Sequence, residues 1–190
     1  SSDTNILKLA LRKLRPDTFD FYSFTDMEGN YPFSGVGNLY NFCAGLVRIG
    51  IQNKCMVLFD NDTAGRRKYQ EAKQLSLPEN MCIIRLPDLP QFDSFETIGP
   101  SGTSRDNING KAVAIECFLD FTCIGHSPQI RWTAYDSYLQ QYQGELIGKE
   151  NVSRHFFKHF KKDESYCVGK LEALISHIEY EWINRNLPKR

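Results

Sequence analysis

The chain has 190 residues, 41% of them apolar, and its 23 basic and 23 acidic side chains leave no formal net charge. That length suits one domain, or one domain with an appendage, and the apolar share is enough for a packed core. There is no run of about 18 apolar residues that could span a bilayer and no signal-peptide pattern at the start, so a soluble, cytoplasmic protein without a membrane partner is expected. Zero net charge counts against tight, unaided binding to a phosphate backbone. Any such binding would fall to local clusters such as Arg66, Arg67 and Lys68, or Arg154, Lys158, Lys161 and Lys162, which taken singly read as solvated helix faces. The cysteines Cys43, Cys55, Cys82, Cys117, Cys123 and Cys167 show no C-x-x-C spacing, so they read as free, mostly buried thiols in a reducing compartment.

In chain order, TNILKLALRKL at 4–14 has apolar residues at helical spacing, with Asp3 or Thr4 as cap and Pro16 as stop. FDFYSF at 19–24 alternates as a short strand does, and 29–37 is a loop rich in Gly and Pro. A second helix runs from Asn38 to about Ile49 and ends at Gly50. CMVLF at 55–59 and MCIIRL at 81–86 are unbroken apolar runs, which predicts strands covered on both faces, with a helix from Thr63 to Leu75 between them. This alternation predicts a parallel α/β sheet with right-handed crossovers. Residues 87–110 read as loop, 111–121 as a short helix, 129–135 as a strand, and 150–162 and 168–186 as two amphipathic helices.

Asp60 and Asp62 follow directly on the strand at 55–59. In extended backbone, residues i and i+2 point to the same side, so both carboxylates project together at the carboxyl end of a strand, where open α/β sheets bind ligands. Two such carboxylates repel unless a proton or a cation lies between them, and hard oxygen donors suit Mg²⁺ or Mn²⁺. The same Asp62 also fits the plainer part of N-cap to the helix that begins near Thr63.

The run FDNDTAG, placed after the second strand present in the chain and with Gly65 at a helix start, resembles the second signature of the Toprim fold, and the chain is similar to Toprim domains of the OLD (overcoming lysogenization defect) nuclease type. The family's first motif runs Glu-Gly-x-x-Asp into a leucine-spaced helix; here Ser1, Ser2 and Asp3 lead into that helix, and the Glu has no counterpart in the sequence. The resemblance therefore implies that a first strand, ending in Glu-Gly, lies ahead of Ser1 in a longer chain. It implies metal ligands at Asp3, Asp60, Asp62 and Glu116, the last in AVAIECFL, with Lys149 in YQGELIGKEN near the scissile phosphate. Asp3 also fits a helix cap, Glu116 a surface position on an amphipathic helix, and Lys149 an ordinary surface lysine. The resemblance covers residues 1–125 well and 126–150 weakly.

The expected architecture is thus a Toprim-like parallel sheet flanked by helices over 1–125, followed by a mostly helical extension over 126–190. The expected activity is Mg²⁺- or Mn²⁺-dependent endonucleolytic hydrolysis of DNA, with Asp60, Asp62, Glu116 and Lys149 in catalytic roles. The resemblance further implies the nuclease part of a larger ATPase–nuclease of the kind used in phage defence. No Walker motif is present, so an ATPase would be another segment or subunit, and the oligomeric state stays open, a homo-oligomer included. Two rival readings are a non-catalytic Toprim module that binds nucleic acid or acts as a scaffold, and a nucleotidyl or nucleotide-sugar transferase using D-x-D. His155 and His159 lack the Glu of a zinc-protease motif, and Gly35 and Gly37 lack the third glycine of a dinucleotide loop. Ala64 breaks the pattern of haloacid-dehalogenase phosphatases, so all three are set aside.

Overall fold

The structure, a computed structural model, describes residues 2–25 and 35–186. Five α-helices and eight strands are found among them. The helices are α1 (Ser2–Leu14), α2 (Val36–Arg48), α3 (Thr63–Lys73), α4 (Lys149–His159) and α5 (Gly169–Asn186). The strands are β1 (Cys55–Phe59), β2 (Asn61–Asp62), β3 (Met81–Arg85), β4 (Phe95–Gly99), β5 (Gly102–Asp106), β6 (Ala112–Val113), β7 (Gln129–Asp136) and β8 (Gln141–Leu146). No described helix is long and apolar enough to cross a membrane.

The unit β1–α3–β3 is the parallel pair read from the sequence, with Cys55 opposite Met81 and Phe59 opposite Arg85. Its apolar runs have no polar face because both faces are covered. Val57, Phe59, Met81 and Ile83 pack on one side with Cys43 of α2 and Ala72 of α3. Met56, Leu58, Cys82 and Ile84 turn to the other side, into a core shared by Ile6, Ala10 and Leu11 of α1, Val152 and Phe156 of α4, and Leu171, Leu174, Ile175 and Ile178 of α5. Among the described residues β1 has β3 as its one strand partner in the sheet.

The single parallel sheet is corrected. The strands form a parallel pair β1–β3, an antiparallel pair β2–β6, and a four-stranded mixed sheet in the order β5-β4-β7-β8, in which only β4 and β7 run parallel. Residues 19–24 are not a strand: Phe19–Phe21 is a 3-10 turn, and Phe21 is 86% exposed, so the alternation there carries no buried face. The loop assigned to 29–37 falls mostly outside the described residues; within them Gly35, at φ 88°, precedes α2. The loop expected at 87–110 holds the hairpin β4–β5, and the helix expected at 111–121 is β6 followed by a 3-10 turn at Ile115–Phe118. The expected C-terminal helices are present as α4 and α5. All six cysteines are free; Cys123 and Cys167 are exposed rather than buried.

The seam between α5 and the 3-10 turn contains a strained charge. Lys170 Nζ donates to the Cys117 carbonyl at 2.7 Å and lies 3.6 Å from the centre of the Phe121 ring. Burial pushes its pKa down to about 8 from 10.5. The unfolded chain therefore binds more protons between about pH 8 and 10.5, and this lysine's contribution to stability rises with pH across that window. Lys170→Met is expected to flatten that rise by roughly 2 kcal/mol, allowing for the lysine's partial exposure. Urea unfolding of both chains at about pH 7 and pH 10 checks this; an equal pH dependence in the two would contradict it.

Candidate functional site

Asp60 is the first residue beyond β1, at the carboxyl end of the parallel pair. The chain is fixed on both sides of it. Asn61 is fully buried, its side-chain oxygen accepts from Arg85 Nη1 at 2.5 Å, and its amide donates to Asp88 at 2.8 Å. Arg85 closes this triangle with a 2.8 Å ion pair to Asp88. Asp62 then caps α3: its Oδ1 accepts from the Gly65 N–H at 2.6 Å, while its Oδ2 accepts from Gln143 Nε2 at 2.7 Å. The cap predicted from sequence is therefore present, and it leaves one lone pair on each oxygen for a further partner.

Glu116 reaches this place by strand pairing. β2 lies against β6, with Asp62 opposite Ala112, and β6 leads straight into the 3-10 turn that carries Glu116. Every residue of that turn is buried, Glu116 at 9% exposure, so it is not the surface Glu of an amphipathic helix. Asp3 lies in the first turn of α1, and Lys149 opens α4 after Gly148, whose φ is 74°.

These residues share one electrostatic neighbourhood. Desolvation raises the Asp60 pKa well above the usual carboxylate range, and Asp62, Asp3 and Glu116 raise it further, with Lys149 opposing them. Glu116 is also raised, first by burial and then by Asp3, again against Lys149. Asp60 is thus within electrostatic reach of Asp3, Asp62 and Glu116 against Lys149, and Glu116 within reach of Asp3 and Glu150 against the same lysine. Among the described residues, however, no three His, Cys, Asp or Glu side chains close on a point that one ion could occupy. A divalent ion fits the donor set chemically: all donors are hard oxygens, and the half-buried Asp60 carboxylate is destabilised by burial and like charge, which a cation relieves.

Some contributors were not legible in the sequence. Gln143 stands 81 residues from Asp62, and no local signal links them. Lys111 supplies the backbone carbonyl that accepts from the Thr63 N–H at 3.4 Å and from the Gly144 N–H at 3.2 Å. His155 and His159, set aside as ligands, stack on each other at 4.6 Å and form no metal group among the described residues. No family model, curated protein or solved structure matches this chain.

Proposed function

We propose that the chain is a Toprim-like, Mg²⁺- or Mn²⁺-dependent DNA endonuclease of the OLD type. The observation that carries this reading is Asp60: a carboxylate at the carboxyl end of a parallel strand, raised by burial and by three neighbouring carboxylates. A fold retains such a costly cluster where a cation or a proton is to be held. Asp60, Asp62, Glu116 and Asp3 would hold the metal. When bound, it would supply an activated water and a Lewis acid at the phosphate. Lys149, already facing the acidic group electrostatically, would steady charge on the phosphate oxygens. DNA as substrate, an ATPase domain or subunit as partner, self-association and a cytoplasmic setting belong to the same proposal.

A second reading has an observation in its favour. Both Asp62 oxygens are already bonded to protein donors, and no described triad closes on one ion, as suits a Toprim module that binds nucleic acid without cutting. The deciding experiment is a supercoiled-plasmid assay on the full-length native chain, with Mg²⁺ or Mn²⁺ against EDTA, beside a Mn²⁺ binding titration. Nicking or linearisation that EDTA abolishes is expected. Failure to cut together with no Mn²⁺ binding at millimolar concentration would leave the scaffold reading.

A further inference from the structure

The four-stranded sheet changes character along its length. Near β4 its inner face buries Ile130 and Leu146, opposite one another across β7 and β8. The same face continues outward through Trp132, opposite Gly144, to Tyr135, opposite Tyr142. Beyond the core the rings emerge into solvent: Tyr135 is 56% and Tyr142 45% exposed. Trp132 is anchored, because a side chain at Gly99 on β4 would meet its ring at 3.1 Å. Beside it Asp106 accepts from Thr97 and Ser104, which hold its carboxyl below the usual carboxylate range, with Trp132 adding to them. The ring centres stand 6.0 Å apart from Trp132 to Tyr142 and 5.1 Å from Tyr142 to Tyr135. Three contiguous rings, one fixed and two exposed, form an unusual surface for a hairpin.

This surface is joined to the acidic site. Tyr142 accepts on its carbonyl from Thr63 Oγ1 at 2.8 Å, and the next residue, Gln143, bonds Asp62 at 2.7 Å and the Ala64 N–H at 3.0 Å. Cations lie at its margin. Arg67, ion-paired with Glu71 at 3.5 Å and with Asp136 at 3.8 Å, lies 5.2 Å from the centre of the Tyr138 ring in the hairpin turn, and Lys111 acts electrostatically on Asp106. Aromatic rings beside cations are the means by which proteins hold unpaired bases, since every base has a face to stack and every nucleotide a phosphate. In duplex DNA those faces are already stacked and out of reach. We propose that Trp132, Tyr135 and Tyr142 form a stacking platform for unpaired nucleotides of single-stranded DNA, whose phosphates Lys111 and Arg67 attract at its margin. The inference rests on the nuclease reading for its substrate and narrows that substrate to DNA with a single-stranded segment.

The test is read without metal, so that binding is separated from cutting. Fluorescence anisotropy of the full-length chain in EDTA and low salt is measured with a labelled oligothymidylate of about 20 nucleotides and with a duplex of equal length. The single strand is expected to bind at least about 10-fold more tightly, and Tyr135→Leu/Tyr142→Leu to weaken it by roughly 10- to 100-fold. Phe at both positions, which keeps the rings, should restore binding to within about 3-fold. As a readout that needs no Leu variant, a Trp182→Phe chain leaves Trp132 as the sole tryptophan, and its fluorescence should be quenched by the oligonucleotide. Equal binding of duplex and single strand, unchanged affinity in a folded Leu variant, or no quenching overturns the platform. If the rings serve only as a cross-strand pair, the Leu variant loses stability and keeps its affinity, which also overturns it. Asp60-dependent plasmid cleavage alongside ring-independent binding would leave the nuclease standing and remove the platform. Ring-dependent binding by a chain that never cuts would do the reverse.

Discussion

Asp60→Asn is expected to lose metal-dependent cleavage while unfolding at a higher temperature than the native chain. The two effects have one cause. Asp60 is held half-buried at the end of β1, where desolvation, then Asp62, Asp3 and Glu116, oppose its ionised form. An amide of the same shape removes the charge and with it both penalties, which should add on the order of 1 kcal/mol, or about 2–4 °C in Tm for a chain of this size. The same change removes a donor that would touch the metal directly. Residues one shell further out in metal sites commonly cost about 10- to 100-fold in activity, so a larger loss is expected here. Plasmid cleavage and thermal unfolding on the same two samples decide the matter. Wild-type cutting by the variant would remove Asp60 from the chemistry, and a lowered Tm would show that its carboxylate is satisfied rather than strained.

Asp62 should behave differently, because it has a structural task as well. Asp62→Ala strands the Gly65 N–H and the Gln143 amide that now donate to its oxygens. It should cost about 1 kcal/mol or more through the lost cap. Charge repulsion alone would leave stability unchanged or raised on alanine substitution, and at Asp62 the lost cap reverses that sign. Asn at 62 keeps a capping oxygen and isolates the loss of charge.

What the sequence made legible follows burial. CMVLF and MCIIRL sit between two layers, and their unbroken apolar runs report that directly. Asp60 and Asp62 were legible because their spacing is local. The same logic misreads AVAIECFL: with every side chain from Ile115 to Phe118 buried, no period separates a helix from the strand and 3-10 turn that form. β5, the run GTSRD, is an edge strand with almost nothing buried, so neither alternation nor hydrophobicity marks it. β8 shows its alternation only as buried Gly144 and Leu146 between polar residues, and Gly is a poor strand signal. The partners that complete the site, Gln143 and the pairing of β6 with β2, are long-range contacts fixed by the fold alone.

Gly65→Ala should be the most damaging small substitution near the site. In an exposed helix interior Gly→Ala usually stabilises, by about 0.5–1 kcal/mol, because alanine loses less backbone freedom on folding. At Gly65 an added Cβ would lie 2.3 Å from the Asp60 carbonyl oxygen, 2.9 Å from its carbon and 3.0 Å from Asp62 Oδ1. The two nearest atoms are backbone, which cannot swing aside. The obstacle is backbone at the end of β1, held by the pairing with β3 and by the Leu86 N–H, which donates to the Phe59 carbonyl at 2.9 Å. Helix α3 would have to withdraw, taking with it the 2.6 Å bond from the Gly65 N–H to Asp62. The expected cost is about 3 kcal/mol or more, at the upper end of overpacking effects, with loss of the relation between Asp60 and Asp62. Gly45, in the interior of α2, is the internal control: its Cβ would meet nothing within 4 Å, so Gly45→Ala should stabilise by the usual roughly 0.5–1 kcal/mol. Urea unfolding of the two variants should give shifts of opposite sign. A Gly65→Ala chain within about 1 kcal/mol of the native one would mean that the start of α3 moves freely, and that the close fit between helix and strand end does not hold the site together.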